Sequence, residues 1–220
     1  MSASNQEGTP MSATTAGTGR TEVWKRGIGL GVAGGIVAAI AMAMFAMIAA
    51  ATYQGTGFFT PLYHIGSSLG GAAPMEAMKA SMEQAQGGDL LTWFTGPALT
   101  GALVHMVAGM MWGAVFGLVV AVVRIPRGAV APAGVAFGIV VMVVMAFVVL
   151  PVMASLFGSG DPIRNMPSMV GWGTFTAEHA LFGLVVGMTT LSLGTRTIDL
   201  PSEPHAVSGH SAERTHQHAR

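Results

Sequence analysis

The sequence predicts an all-α membrane protein, a four-transmembrane-helix bundle built from two similar helical hairpins, and three observations predict it. Four apolar runs, at about residues 28–53, 97–123, 131–157 and 169–193, are each long enough to cross a bilayer. Charged residues make up 9% of the chain and apolar ones 51%, so lipid is the solvent for most of its length. Glycine recurs at every fourth residue in two of the runs, the spacing by which helices approach closely where lipid supplies no hydrophobic drive between them.

Taken in order, residues 1–25 are rich in Ser, Thr, Gly and Ala, lack an apolar period, and are expected to form a disordered tail. The membrane domain, residues 26–193, follows. As a helix, its first run would be ~39 Å long at 1.5 Å per residue, enough to span with some tilt. Ala49-Ala50-Ala51 has the small residues of a signal-peptide cleavage site, but the run is too long for a signal core and is preceded by a long polar segment. It is therefore expected to stay as a span.

Residues 54–89 read as a polar, Gly-rich connection, with His64 in a loop. Within it, at about 75–86, Met75, Met78 and Met82 share one side of a helix and Glu76, Lys79 and Glu83 another, which predicts an amphipathic segment at the outer interface. Trp93 precedes span two at headgroup depth, and Trp172 lies near the start of span four. Residues 124–128 form a tight turn, and Asp161-Pro162 with Asn165-Met166-Pro167 breaks the chain between spans three and four. Residues 194–220 are expected to be a disordered tail. Its His205, His210, His216 and His218 can collect metal ions, although solvated tails also carry incidental histidines.

Cations set the orientation. Lys25, Arg26, Arg124, Arg127 and Arg196 fall on one side of the four spans, against Lys79 and Arg164 on the other. The richer side is cytoplasmic by the positive-inside rule, so a multi-pass protein of a bacterial cytoplasmic (inner) membrane with both termini cytoplasmic is expected.

Two local matches suggest an internal repeat. Residues 31–37 align with 134–140 at six of seven positions, and the order His, three residues, Gly, three residues, Gly occurs at His105, Gly109, Gly113 and again at His179, Gly183, Gly187. A duplicated hairpin crosses the membrane twice per copy, so its copies share an orientation and equivalent residues share a depth. His105 and His179 are then level. The rows Gly101, His105, Gly109, Gly113, Gly117 and Gly171, Phe175, His179, Gly183, Gly187 are expected to be helix-packing faces.

Much chemistry is excluded. Ten basic and ten acidic side chains balance, without the basic and aromatic interleaving that grips nucleic acid. The absence of Cys removes disulfides and thiol chemistry. No Ser-His-Asp set, HExxH or paired-carboxylate arrangement is recognisable, and the Gly-rich residues 27–35 lack the Lys-Ser/Thr of a phosphate loop, so an enzyme is not indicated. The 17 methionines fall mostly in apolar runs, where they serve as flexible packing.

His105, Glu178 and His179 remain as ionisable groups inside spans, where such groups face the bundle interior and find a partner. Glu178 is expected to find its partner on another helix or in water at the outer interface. Three readings of the histidines stay open. They can hydrogen-bond across a helix interface; they can ligate a haem b axially, with the Gly faces receiving the ring; or they can form a metal or proton site with Glu178 and Met106, the metal being a transition ion.

The order of these features, with His105 in Val104-His105-Met106-Val107-Ala108-Gly109, the Arg127-Gly128 turn, and His179 followed by Gly183, resembles the YagU-like family of small bacterial inner-membrane proteins. The resemblance covers residues 26–193 and implies four spans and a compartment, without an activity. The expectation is a non-enzymatic structural or accessory subunit in the lipid bilayer, with a membrane protein or a second copy as partner and no nucleic acid. The alternative is a haem- or metal-binding protein.

Overall fold

In lipid every backbone N–H and C=O must be satisfied within its own segment, which is why each apolar run folds as a helix. The computed structural model describes residues 14–196, with side chains over residues 21–194. The four histidines of the C-terminal tail lie outside the described residues, as does most of both expected tails. Helix α1 (Thr14–Ala51) nevertheless begins inside the stretch whose composition reads as a tail.

The long helices are α1, α4 (Thr95–Val123), α5 (Arg127–Leu156) and α8 (Trp172–Arg196). Each contains an apolar window long enough to cross a membrane. Between α1 and α4 lie α2 (Thr60–Gly66) and α3 (Ala72–Gln86), and between α5 and α8 the short turns α6 (Asp161–Arg164) and α7 (Met166–Val170). These connecting elements cap one end of the bundle, called the cap side below; the Arg124–Arg127 turn marks the terminal side. The expected start of span four, at 169, moves to Trp172. Gly171 adopts φ 87°, a left-handed conformation that ends α7 and lets the chain restart.

Prolines punctuate the starts of α2, α6 and α7, where their missing N–H needs no intrahelical acceptor. Pro151 is different because it falls inside α5. Its ring and absent N–H disturb the preceding turn, Met145–Val149, which widens to π geometry; Leu150 N–H bonds the carbonyl of Met145, five residues back.

The four long helices form a bundle whose close backbone contacts are α4 with α1, α1 with α8 and α8 with α5, around a shared core of Ala38, Phe116, Val130, Phe182 and Val186. Two seams are made of glycine. A Cβ on Gly31 would collide with the carbonyl of Gly113, and one on Gly35 with that of Gly109; across the second seam Gly134 meets Gly183, and Gly138 meets the carbonyl of His179. Backbone contact this close leaves no room for side chains and gives the helices their van der Waals fit. Between α1 and α8 the contact runs through Gly34 against Val186 and Thr190. The α4 and α5 backbones barely touch, and aromatic rings fill the space: Phe137 lies 5.2 Å from Phe116 and 6.2 Å from Trp112, centroid to centroid.

The cap has its own core. Leu62, Tyr63, Ala77, Met78 and Ala98 bury together with Met47 of α1, and the Tyr63 hydroxyl donates to the Thr92 carbonyl while accepting the Phe94 N–H. Met75 and Met82 pack onto this cluster, so the methionine side of α3 faces the bundle. His64, expected in a loop, is instead a buried helical residue of α2, and its Nε2 donates to the Pro162 carbonyl at 3.0 Å. Pro61 and the apolar residues around it form this turn inside what composition reads as a polar connection.

Candidate functional site

His105 stands in the row 101, 105, 109, 113, 117 of α4. The glycines of this row pack against α1, except Gly101, which sits under the Leu62 carbonyl of α2. Because Gly35 and Ala39 are small, the imidazole reaches the α1 backbone, and Nε2 lies 2.9 Å from the Ala39 carbonyl oxygen. A carbonyl only accepts, so neutral His105 carries its proton on Nε2.

His179 belongs to the row 175, 179, 183, 187 of α8, which faces α5 through Gly183 and Gly187, whereas Gly171, expected in the same packing face, lies just before the helix and meets no facing helix. It is 4% exposed, its ring lies 4.4 Å from that of Phe175, and Nδ1 is 2.7 Å from the Phe175 carbonyl. The proton is therefore on Nδ1, the opposite tautomer to His105.

Helix α1 measures their heights. Gly35 sits between Gly109 and Gly113 of α4, and its neighbour Gly34 sits against Val186 and Thr190 of α8. From that level His105 is about seven residues toward the cap and His179 about nine, a difference of ~3 Å at 1.5 Å per residue. Each ring directs one nitrogen to a backbone carbonyl.

Glu178 lies on a third row, Thr174, Glu178, Phe182, Val186, Thr190, which faces α1: Thr174 bonds Tyr53 at 2.9 Å, and Val186 and Thr190 touch Gly34. It is 7% exposed. Among the described residues its carboxyl group has neither a hydrogen-bond donor nor a cation, so the partner expected on another helix is not there. Among the described residues two polar side-chain atoms are fully buried without partners, Trp112 Nε1 and Thr190 Oγ1.

The haem and metal readings do not fit this geometry. The Gly faces meant to receive a flat ring are filled by the facing helix backbone, Gly109 and Gly113 by Gly35 and Gly31, and Gly183 by Gly134. Successive residues on a helix point about 100° apart, so Met106 diverges from His105 and Glu178 from His179. Among the described residues no group of three or more His, Asp or Glu side chains is placed to hold a metal ion.

Fold and site together define an all-helical, multi-pass integral membrane protein whose intramembrane imidazoles are bonded to backbone carbonyls. No family model, curated protein or solved structure matches the chain.

Proposed function

We propose that the protein is a non-enzymatic structural or accessory subunit of a bacterial inner membrane, with both termini cytoplasmic. The observation that carries this reading is the use of the site by the fold itself: His105 donates to α1, His179 to its own helix, and the glycines are closed by helix contact. Nothing in that arrangement leaves a reacting group facing a substrate space. The excess of Lys25, Arg26, Arg124 and Arg127 on the terminal side supports the orientation, and the YagU-like order of motifs supports the compartment.

Purification from gently solubilised membranes, followed by intact mass, absorption spectrum and elemental analysis, tests the reading. It expects a stoichiometric partner protein or second copy, with no Soret band and no bound metal. A single-copy protein with a Soret band that is lost in His105→Ala and His179→Ala would overturn it.

A further inference from the structure

Glu178 is the group the fold does not use. An ionised carboxylate in an apolar interior without a counter-charge is strongly disfavoured, and taking up a proton resolves the conflict. Among the described residues no counter-ion comes from the elements packed around it. His179, the next residue, points elsewhere and gives its Nδ1–H to Phe175, while His105 of α4 gives its Nε2–H to Ala39. The Tyr53 hydroxyl at the end of α1 is paired with Thr174, and the titratable residue of α5 is Arg127, at the opposite end of the bundle. In the cap, His64 is bonded to Pro162, Lys79 is exposed on α3, and Arg164 stands 4.0 Å from Asp161.

The neighbours of Glu178 along its row differ on its two sides. One helical turn toward the cap is Thr174, whose hydroxyl meets that of Tyr53 at the exposed end of the α1/α8 seam. One turn the other way begins a buried apolar layer, Phe182, Val186, Ala38 and Phe116, each at most 4% exposed.

We propose that Glu178 is a proton-binding site that exchanges with the aqueous phase on the cap side alone, through the Tyr53–Thr174 pair, with the Phe182 layer as its floor. The test uses the full chain in sealed vesicles of known orientation, with the pH set separately on each side, and dicyclohexylcarbodiimide as probe. This lipophilic reagent adds to protonated carboxyl groups. The carboxyl oxygen attacks the carbodiimide carbon, the acid proton passes to its nitrogen, and an acyl shift leaves an adduct of protein plus reagent with nothing lost.

The expected result is an adduct mapped to Glu178 by mass spectrometry and absent in Glu178→Gln. Its rate should fall by about tenfold per unit as the cap-side pH rises past the group's pKa, with no response to the terminal-side pH. Mapping is done on the unaltered chain, so the result does not depend on the variant folding. Phe182→Ser should add a response to the terminal side. Absence of an adduct at Glu178, a rate indifferent to cap-side pH, a rate that follows the terminal-side pH in the unaltered chain, or protection by Na⁺ or K⁺ at constant pH would each overturn the proposal.

Discussion

The imidazole of His105 donates its Nε2–H to the carbonyl oxygen of Ala39, 2.9 Å away on the neighbouring helix. That carbonyl lies within α1 and accepts with a lone pair its own helix bond leaves over. The bond ties α4 to α1 one turn beyond the Gly35/Gly109 contact, so a polar tether and a backbone seam hold the same pair of helices.

The tether should be replaceable by shape. A glutamine amide nitrogen occupies nearly the position of Nε2, whereas an asparagine nitrogen sits near Nδ1. His105→Gln should therefore keep close to full stability in detergent, while His105→Asn and His105→Ala lose about 1–3 kcal/mol. Equal losses for Gln and Ala would show that the Ala39 bond contributes nothing.

His179 should behave in the mirror sense, because its bond to Phe175 uses Nδ1. His179→Asn is expected to be tolerated better than His179→Gln. Solid-state nitrogen NMR of histidine-labelled protein at neutral pH should resolve three hydrogen-bonded rings, those of His64 and His105 protonated at Nε2 and that of His179 at Nδ1. Assigned by loss of a signal in each single variant, His105 and His179 in the same tautomer would contradict one of their two hydrogen bonds.

The spans were legible because each is a continuous apolar run, and the Gly rows because four-residue spacing maps directly to a ridge on a helix. What the sequence did not carry was which ridges meet and in what register. The match of 31–37 with 134–140 equates Gly31 with Gly134, and the histidine match equates Gly113 with Gly187. In the fold Gly31 lies between Gly113 and Gly117, but Gly134 lies between Gly183 and Gly187. The two matches are out of step by four residues, ~6 Å along a helix, and a single superposition cannot satisfy both. Glycine at every fourth position tolerates that slip because each step presents the same smooth surface. Helix α2 escaped notice for another reason: a seven-residue helix has too few turns to show a period, and the burial of His64 depends on Pro162, ninety-eight residues away in sequence.

The seams make a sharp prediction about glycine. In Gly31→Leu or Gly113→Leu the new side chain would run into backbone on the facing helix, and α1 and α4 would have to separate. A loss of about 1–3 kcal/mol is expected, together with weaker cross-linking between cysteines placed on the two helices. Gly29, on the same helix with nothing within 4 Å of an added Cβ, is the control, and Gly29→Ala should be neutral or mildly stabilising. Equal losses at Gly29 and Gly31 would show that the close approach at Gly31 is not what makes glycine necessary there.

His64 joins the two cap-side loops, and burial lowers its pKa more than the Pro162 hydrogen bond raises it. The unfolded cap titrates this ring at about 6.5, so between that value and the lower folded one the unfolded form holds more protons. Cap stability is thus fully present above about pH 6.5 and is lost as pH falls toward the folded pKa. Amide exchange across residues 64–70, corrected for the intrinsic pH dependence, should accelerate on acidification in the unaltered protein. His64→Gln keeps a donor for Pro162 and removes the titration, so its exchange should stay flat over the same range. Equal acceleration in both proteins would show that His64 is not the group responsible.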